Sequence, residues 1–589
     1  MLGLDPKCGN QVLARSLRVQ FCIRVGGRAT ERHVATILGE ENCVFSTPLH
    51  LGRPVQLPYR EICVAMKADQ NARRHSRIPH HESNQLLSIH GLVMNSSGFD
   101  RNPVESWRLE ENSLLGPPEE EQEAEQQPKN YEHSDHGSTE GVPVGLHGGQ
   151  FTSMRIPIET YHLKNGLFVT LSEDHTAPIV AVNLWYHVGS ANEKPGRTGF
   201  AHLFEHMLFQ GSAHVGSNEH FELIQRAGGT LNGSTWLERT NYFETVPSNE
   251  LALALWLEAD RMGELLPAMT QEKLDTQRDV VKNERRWAVD NQPYGTMLEK
   301  MQELVFPSSH PFQHSLIGSM EDLTEASLDD VAQFFSTYYT PDNAVLSIAG
   351  DFDPVEARQL VSEYFGPIPS GKGRPPLPSM SLPGVFGKQL REVVHDNVSL
   401  PRLFLAFRTP VFGSEKYYAA SVLSAVLGLR KGSRLHRSLV RERQIAAETS
   451  AFTFDLAKGT DLLVIDVTAR PETGFAQLEE EVEREVDLLY REGVTELEVK
   501  RAVSLIETDL VASLQSAGER ADRISMFATY FKRPELINEQ ADRYREVTAQ
   551  QVNDLVAERF GQDNRASLLY VPKEGVESEN ALALAASTG

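Results

Sequence analysis

The chain has 589 residues, 40 % hydrophobic and 23 % charged, with a formal net charge of −24 and a pI near 5.3. That length predicts several domains of ordinary soluble composition. The acidic balance argues against a nucleic-acid partner, which needs a basic face, and no apolar run is long enough for a membrane helix.

Residues 1–153 read differently from the rest. All four cysteines, Cys8, Cys22, Cys43 and Cys63, lie here, at wide and irregular spacings that support neither disulfides nor a metal site. An acidic tract, Glu119 to Glu125, and a Gly/His/Ser-rich run to Gln150 read as a disordered linker. We expect a low-order N-terminal extension or a misassigned start, with the true one at Met154; a small domain is the other option. Met1 to Cys8 lacks a basic flank followed by an apolar core, which predicts a cytoplasmic protein, or a periplasmic one if a misassigned start hides a signal.

From Arg155 the pattern sharpens. Arg155 to Ile158 predicts an edge strand, and His162 to Leu171 a strand–turn–strand around Asn165-Gly166. Pro178 to His187, rich in β-branched and aromatic residues, predicts another strand. Then comes Phe200-Ala201-His202-Leu203-Phe204-Glu205-His206-Met207-Leu208-Phe209. On a helix His202, Glu205 and His206 share one face. Two imidazoles at i and i+4 can chelate a divalent metal, and the carboxylate between them can reach a water on that metal. Three ionisable groups among such apolar neighbours are expensive to bury unless something binds them.

Asn218 to Ala227 and Leu251 to Leu266 predict amphipathic helices. Gln277 to Trp287 reads as a helix of alternating charge that contains Glu284; on its own, such a glutamate is usually part of a solvated face and only seldom a metal ligand. Asn343 to Gly350 is a buried strand and Pro354 to Phe365 a helix, so residues 154–366 form an α+β domain. The Pro/Gly-rich stretch 367–387 is a linker. A second domain, 388–575, repeats the first and is followed by a short tail, 576–589. Phe335 to Asn343 before one strand matches Ala557 to Asn564 before Ala566 to Val571. The second-half counterpart of the metal helix, Tyr418 to Leu427, has no His or Glu, so one metal site is expected.

His202-x-x-Glu205-His206 with a distal glutamate resembles the pitrilysin-like, or M16, zinc peptidases. Residues 207–283 separate His206 from Glu284, a spacing similar to that family's. Gly228 to Thr235 followed by Thr240 to Phe243 resembles its strand pair beside the active-site cleft, and Val280 to Arg286 its glutamate helix. The resemblance covers about residues 155–575. It implies two similar α/β-sandwich halves (LuxS/MPP-like) and Zn²⁺ held by His202, His206 and Glu284, with Glu205 as general base. It further implies an endopeptidase acting on peptides or unfolded segments in a cavity between two half-shells, with Asn232 on the substrate backbone. A non-catalytic structural or assembly subunit is the alternative.

Two positions depart from the family. Gln277 stands where many members carry a glutamate beside the ligands; it either orients a ligand without adding charge or is a plain surface residue. The Arg/Tyr pair that grips the substrate carbonyl follows a Ser-Arg-Leu motif, here Ser433-Arg434-Leu435, and its positions hold Val440 and Ala447. Arg441 and Arg443 are near but out of register. The resemblance therefore points to the two-subunit branch, with a homologous metal-free chain as the partner that supplies the clamp.

Overall fold

The computed structural model describes residues 155–373 and 379–573, together with strand residues 12–13, 16–25, 28–38, 42–46 and 55–58. Two compact units divide at residue 88. In the first, strands β1 (Val12–Leu13), β2 (Ser16–Val25), β3 (Arg28–Leu38), β4 (Asn42–Ser46) and β5 (Val55–Pro58) make an antiparallel meander. The expected acidic linker, the tail after residue 575 and any role of Cys8 and Cys63 lie outside the described residues.

The second unit holds two halves of one topology. In the first half, β6 (Glu159–His162), β7 (Phe168–Glu173), β8 (Ile179–Tyr186), β9 (Thr230–Thr235), β10 (Thr240–Pro247) and β11 (Ala344–Gly350) form a sheet in the order β6-β7-β11-β8-β10-β9. In the second, β12 (Leu390–Asp396), β13 (Arg402–Thr409), β14 (Ala446–Thr453), β15 (Asp461–Ala469) and β16 (Ala566–Pro572) run β12-β16-β13-β15-β14. In each, one parallel pair (β7 with β11, β12 with β16) is followed by antiparallel neighbours. The repeat extends to single bonds. Asn343 Nδ2 donates to the carbonyls of Tyr338 and His187, and Asn564 Nδ2 to those of Arg559 and Arg408.

The helices α1 (Phe200–Met207), α2 (Glu219–Arg226), α3 (Leu251–Glu264) and α4 (Gln271–Glu284) form the helical layer of the first half, with α5 (Met297–Val305), α6 (Met320–Glu325), α7 (Leu328–Tyr338) and α8 (Pro354–Phe365) following. The second half has α9 (Glu415–Gly428), α10 (Phe475–Glu492), α11 (Glu496–Ser513), α12 (Ala517–Phe531), α13 (Gln540–Arg545) and α14 (Ala549–Arg559). The predicted hairpin turns at Asn165-Gly166, where Gly166 has φ +96°. The Arg155–Ile158 strand does not form. This segment crosses to the second half, where Asn538 accepts the Ile156 N–H and donates to its carbonyl (2.7 and 2.9 Å). Its backbone groups are satisfied there, so pairing starts only at Glu159.

Each half also lends a helix to the other. α12 lies on the outer face of the first sheet, its Ala517, Ala521 and Ala528 against Ala181, Ala349 and Val345. Asp522 Oδ1 accepts from Asn183 Nδ2, Asn241 Nδ2 and Trp185 Nε1 (2.9–3.1 Å). Reciprocally, Met301 and Val305 of α5 pack on Phe404, Ala406, Leu568 and Tyr570 of the second sheet. The hairpin tips meet as well: Trp236 stacks on Phe454, and buried Glu238 accepts the Ala457 N–H (2.8 Å).

Burial pushes the Glu238 carboxyl up to about 7, although the Ala457 N–H and the Lys458 charge work the other way. Tyr530 faces it, with Arg239, Asp522 and Asp455 also around that tyrosine. A folded pKa above the unfolded value of 4.5 means the fold favours the neutral acid. This contribution is complete below pH 4.5 and fades as pH rises through 7, by about 3 kcal/mol in all. Denaturant titrations should therefore show Glu238→Gln gaining stability relative to wild type between pH 5 and pH 8; a constant difference would refute the assignment.

Candidate metal centre and active site

The site is built on α1. Gly199 caps its start at φ +82°, where it passes close against Ile317 and Gly318, so a side chain there would collide. The first turn's amides are met from outside the helix: Glu193 accepts from Gly199 N (2.9 Å) and Ala201 N (2.7 Å). Burial raises the Glu193 pKa well above the usual carboxylate range, and the two amides work the other way. Every residue of α1 except His206 is buried, including His202 and Glu205. The helix is thus enclosed on nearly all sides, and its polar residues are held by packing.

α4 brings in the third group. Thr270 caps it by accepting the Lys273 N–H, and its apolar side, Leu274 and Val281, is buried. Glu284 closes the helix, and a π-helical turn, Arg285–Asp290, follows, a local geometry common at functional sites. The acids and imidazoles converge: ligand atoms of His202, His206 and Glu284 all lie within 4.8 Å of one another. Glu284 Oε1 stands 3.8 Å from His202 Nε2, and Oε2 stands 3.1 Å from His206 Nε2.

These residues fit a metal. Tetrahedral zinc with bonds of about 2.0–2.1 Å separates neighbouring donors by about 3.4 Å, and the two separations bracket that value. Glu284 Oε2, despite its proximity to His206, makes no aligned hydrogen bond, and His202 Nδ1 is buried without a partner. The unpaired Glu284 Oε2 beside the ring nitrogens is thus free to meet a cation. Burial lowers the pKa of His202, outweighing the Glu284 charge. Burial acts on His206 too, but Glu284 and Gln277 carry it above the usual imidazole value. Burial also works against the Glu284 charge, but the two histidines hold its pKa below the ordinary range. A metal taken up there would displace the His206 proton.

The other predicted residues fall at graded distances from this core. Gln277 is buried and acts on His206, which removes the plain-surface alternative. Asn232 lies on β9, the sheet's edge strand, with its Oδ1 accepting the Gly233 N–H (2.9 Å). Next to it, a Cβ on Gly233 would come within 3.2 Å of Glu205 Cγ. In the second half, α9 occupies the place of α1 and carries no histidine. Val440 packs against the second core. Ala447 is exposed at a register shift between Ala446 and Glu448 in β14, a bulge. Arg443 pairs with Glu481 and Glu485 within its own half.

Sequence reasoning missed Glu193 as the cap of α1 and the charged residues under the site. Within Leu251–Glu264, Glu258, Asp260 and Arg261 are buried in an otherwise apolar run, and charges in such a run are the signal that could have marked them.

Replacing Gln277 by Ala is expected to weaken divalent-metal binding by about 10–100-fold, and Glu284→Gln by more, because it removes ligand charge. Competition against a chromogenic chelator measures both. Wild-type affinity in Glu284→Gln would remove this residue from the ligand set.

Among known proteins, two family models match: "Insulinase (Peptidase family M16)" over residues 168–313 and "Peptidase M16 inactive domain" over residues 325–506. The "Zinc protease PqqE" of Helicobacter pylori is 28 % identical over 417 residues, covering 70 % of this chain and 92 % of that protein. The crystal structure of a protease from Helicobacter pylori superposes with a TM-score of 0.67 at 25 % identity, over 71 % of this chain and all of that one. A peptidase M16 inactive domain from Pseudomonas fluorescens shares the fold, with a TM-score of 0.63 at 18 % identity over 71 % of this chain and 99 % of that one.

Proposed function

Given that the chain belongs to peptidase family M16, we propose that it is a zinc-dependent endopeptidase for peptides or unfolded segments, working in a cavity between two half-shells. The observation that carries this reading is the convergence of His202, His206 and Glu284 beside the buried Glu205. Those three residues would hold the zinc, which when bound supplies a Lewis acid and lowers the pKa of water.

The chain's own residues do the rest. Glu205 is the general base: it takes the proton of the attacking water and delivers it to the leaving amine nitrogen. Its carboxylate acts where α1 is enclosed by apolar side chains, so its charge is less screened than in water. β9, with no neighbour beyond it in its sheet, offers main-chain donors and acceptors to an extended substrate, and Asn232 lies on that strand. Such pairing binds many sequences, which suits unfolded polypeptide. A non-catalytic subunit has no use for three ligands and a base together, so that alternative is the weaker one.

The substrate clamp comes from elsewhere in this proposal. Val440 and Ala447 have no side-chain donor, and Arg443 is already paired with two glutamates. A homologous chain without metal ligands supplies the missing grip. No helix among the described residues is long and apolar enough to cross a membrane.

Glu205→Gln should keep stoichiometric zinc and lose about 10²–10⁴-fold in kcat on an unstructured fluorogenic peptide. Unchanged cleavage would exclude Glu205 as the base. Adding the clamp-bearing homologue to the purified chain is expected to raise kcat/KM sharply, and full activity of the chain alone would dismiss the two-subunit proposal.

A further inference from the structure

Below Glu205 lies a cluster of buried polar groups that the chemistry above does not use. Tyr242 and Glu244 of β10 are both buried on the face toward the helices. The Tyr242 ring is edge-on to Phe209, with centroids 5.6 Å apart. A Cβ on Gly233 would sit 3.1 Å from Tyr242 Cδ1, 3.1 Å from Phe209 Cε2 and 3.2 Å from Glu205 Cγ. The stem of the proposed base and these two rings therefore close over the bare backbone of Gly233.

Beneath the rings is Arg261 of α3. Its Cζ lies 4.1 Å from the Tyr242 ring centre and 5.1 Å from that of Phe209. The guanidinium is paired with Glu258 and stands 3.7 Å from Glu244. All three are essentially excluded from solvent. One cation facing two carboxylates is balanced only if one acid keeps its proton. Burial and the Glu258 charge raise the Glu244 pKa far above the usual range, so Glu244 keeps it. His220, also buried, is held neutral by burial and by Arg261. Filling a core needs no such charges, since apolar residues pack as well at lower desolvation cost. A planar cation against two rings does what an aliphatic side chain cannot: it fixes ring orientation.

We propose that Tyr242, held by Arg261, is a positioning residue that keeps the Glu205 side chain in a single conformer. The proposal rests on the reading of Glu205 as base. Its test uses the full-length zinc-loaded chain, with the homologous partner where activity requires it, and compares Tyr242→Phe, Tyr242→Leu and Arg261→Lys. Tyr242→Phe keeps the ring and should retain wild-type kcat. Tyr242→Leu should lose about 10–100-fold in kcat, with KM and zinc stoichiometry unchanged, because a small misplacement of a reacting group has effects of that size. Arg261→Lys keeps the charge among its carboxylates but loses the planar contact, and should shift kcat the same way; it also serves if the leucine variant does not fold. Crystal structures should show one Glu205 conformer in wild type and Tyr242→Phe, and a displaced one in Tyr242→Leu. Wild-type kcat per zinc in Tyr242→Leu or Arg261→Lys overturns the inference, as does an equal loss in Tyr242→Phe. If wild type cleaves no better than Glu205→Gln, the peptidase reading fails instead, and the Glu205 conformers still decide this one.

Discussion

The arrangement depends on one constraint: ionisable side chains have been taken out of water on a helix closed in by apolar neighbours. Exposed, His202, Glu205 and His206 would be mobile and individually solvated. Buried, each must find compensation nearby. Glu284 gives it to the imidazoles, Glu193 gives it to the helix amides, and Gly233 leaves room for the Glu205 stem. The electrostatic compensation and the geometry of the site therefore have the same origin. A looser core would lose both together.

The same economy explains how the two halves differ. Five strands of the first sheet have counterparts in the second, β6 being the extra one, and the asparagines Asn343 and Asn564 make equivalent bonds. What separates them is the helix after the central strand. α1 is short, capped by Glu193 and carries two of the candidate metal donors, whereas α9 is longer and lined with small and apolar residues. The scaffold occurs twice, and among the described residues the cluster of possible metal donors lies in the first copy.

Much of this was readable in the chain. His202, Glu205 and His206 stand out because helical spacing and apolar flanks are local properties. Glu284 is not local, and charge pattern alone favoured a solvated face; family resemblance singled it out, and the fold brings it to the histidines. The Arg155–Ile158 strand was misread because its β-branched and apolar residues look like an edge, while the group that satisfies its backbone, Asn538, lies 382 residues away. Arg261 and its acids went unremarked for a related reason: their value depends on which rings they meet. Neither the Asp522 contacts nor the exchange of α5 and α12 leaves a mark in periodicity, since a helix face records that it is buried and not what buries it.

That exchange makes the first half depend on the second. The outer face of the first sheet carries Ala181, Asn183, Trp185 and Asn241, and α12 of the second half covers it. Deleting the second half would leave this face uncovered by α12. The second half thus serves the first as a wall. A change at Ala521 or Asp522 of α12 therefore reaches the first sheet directly, across the seam between the halves.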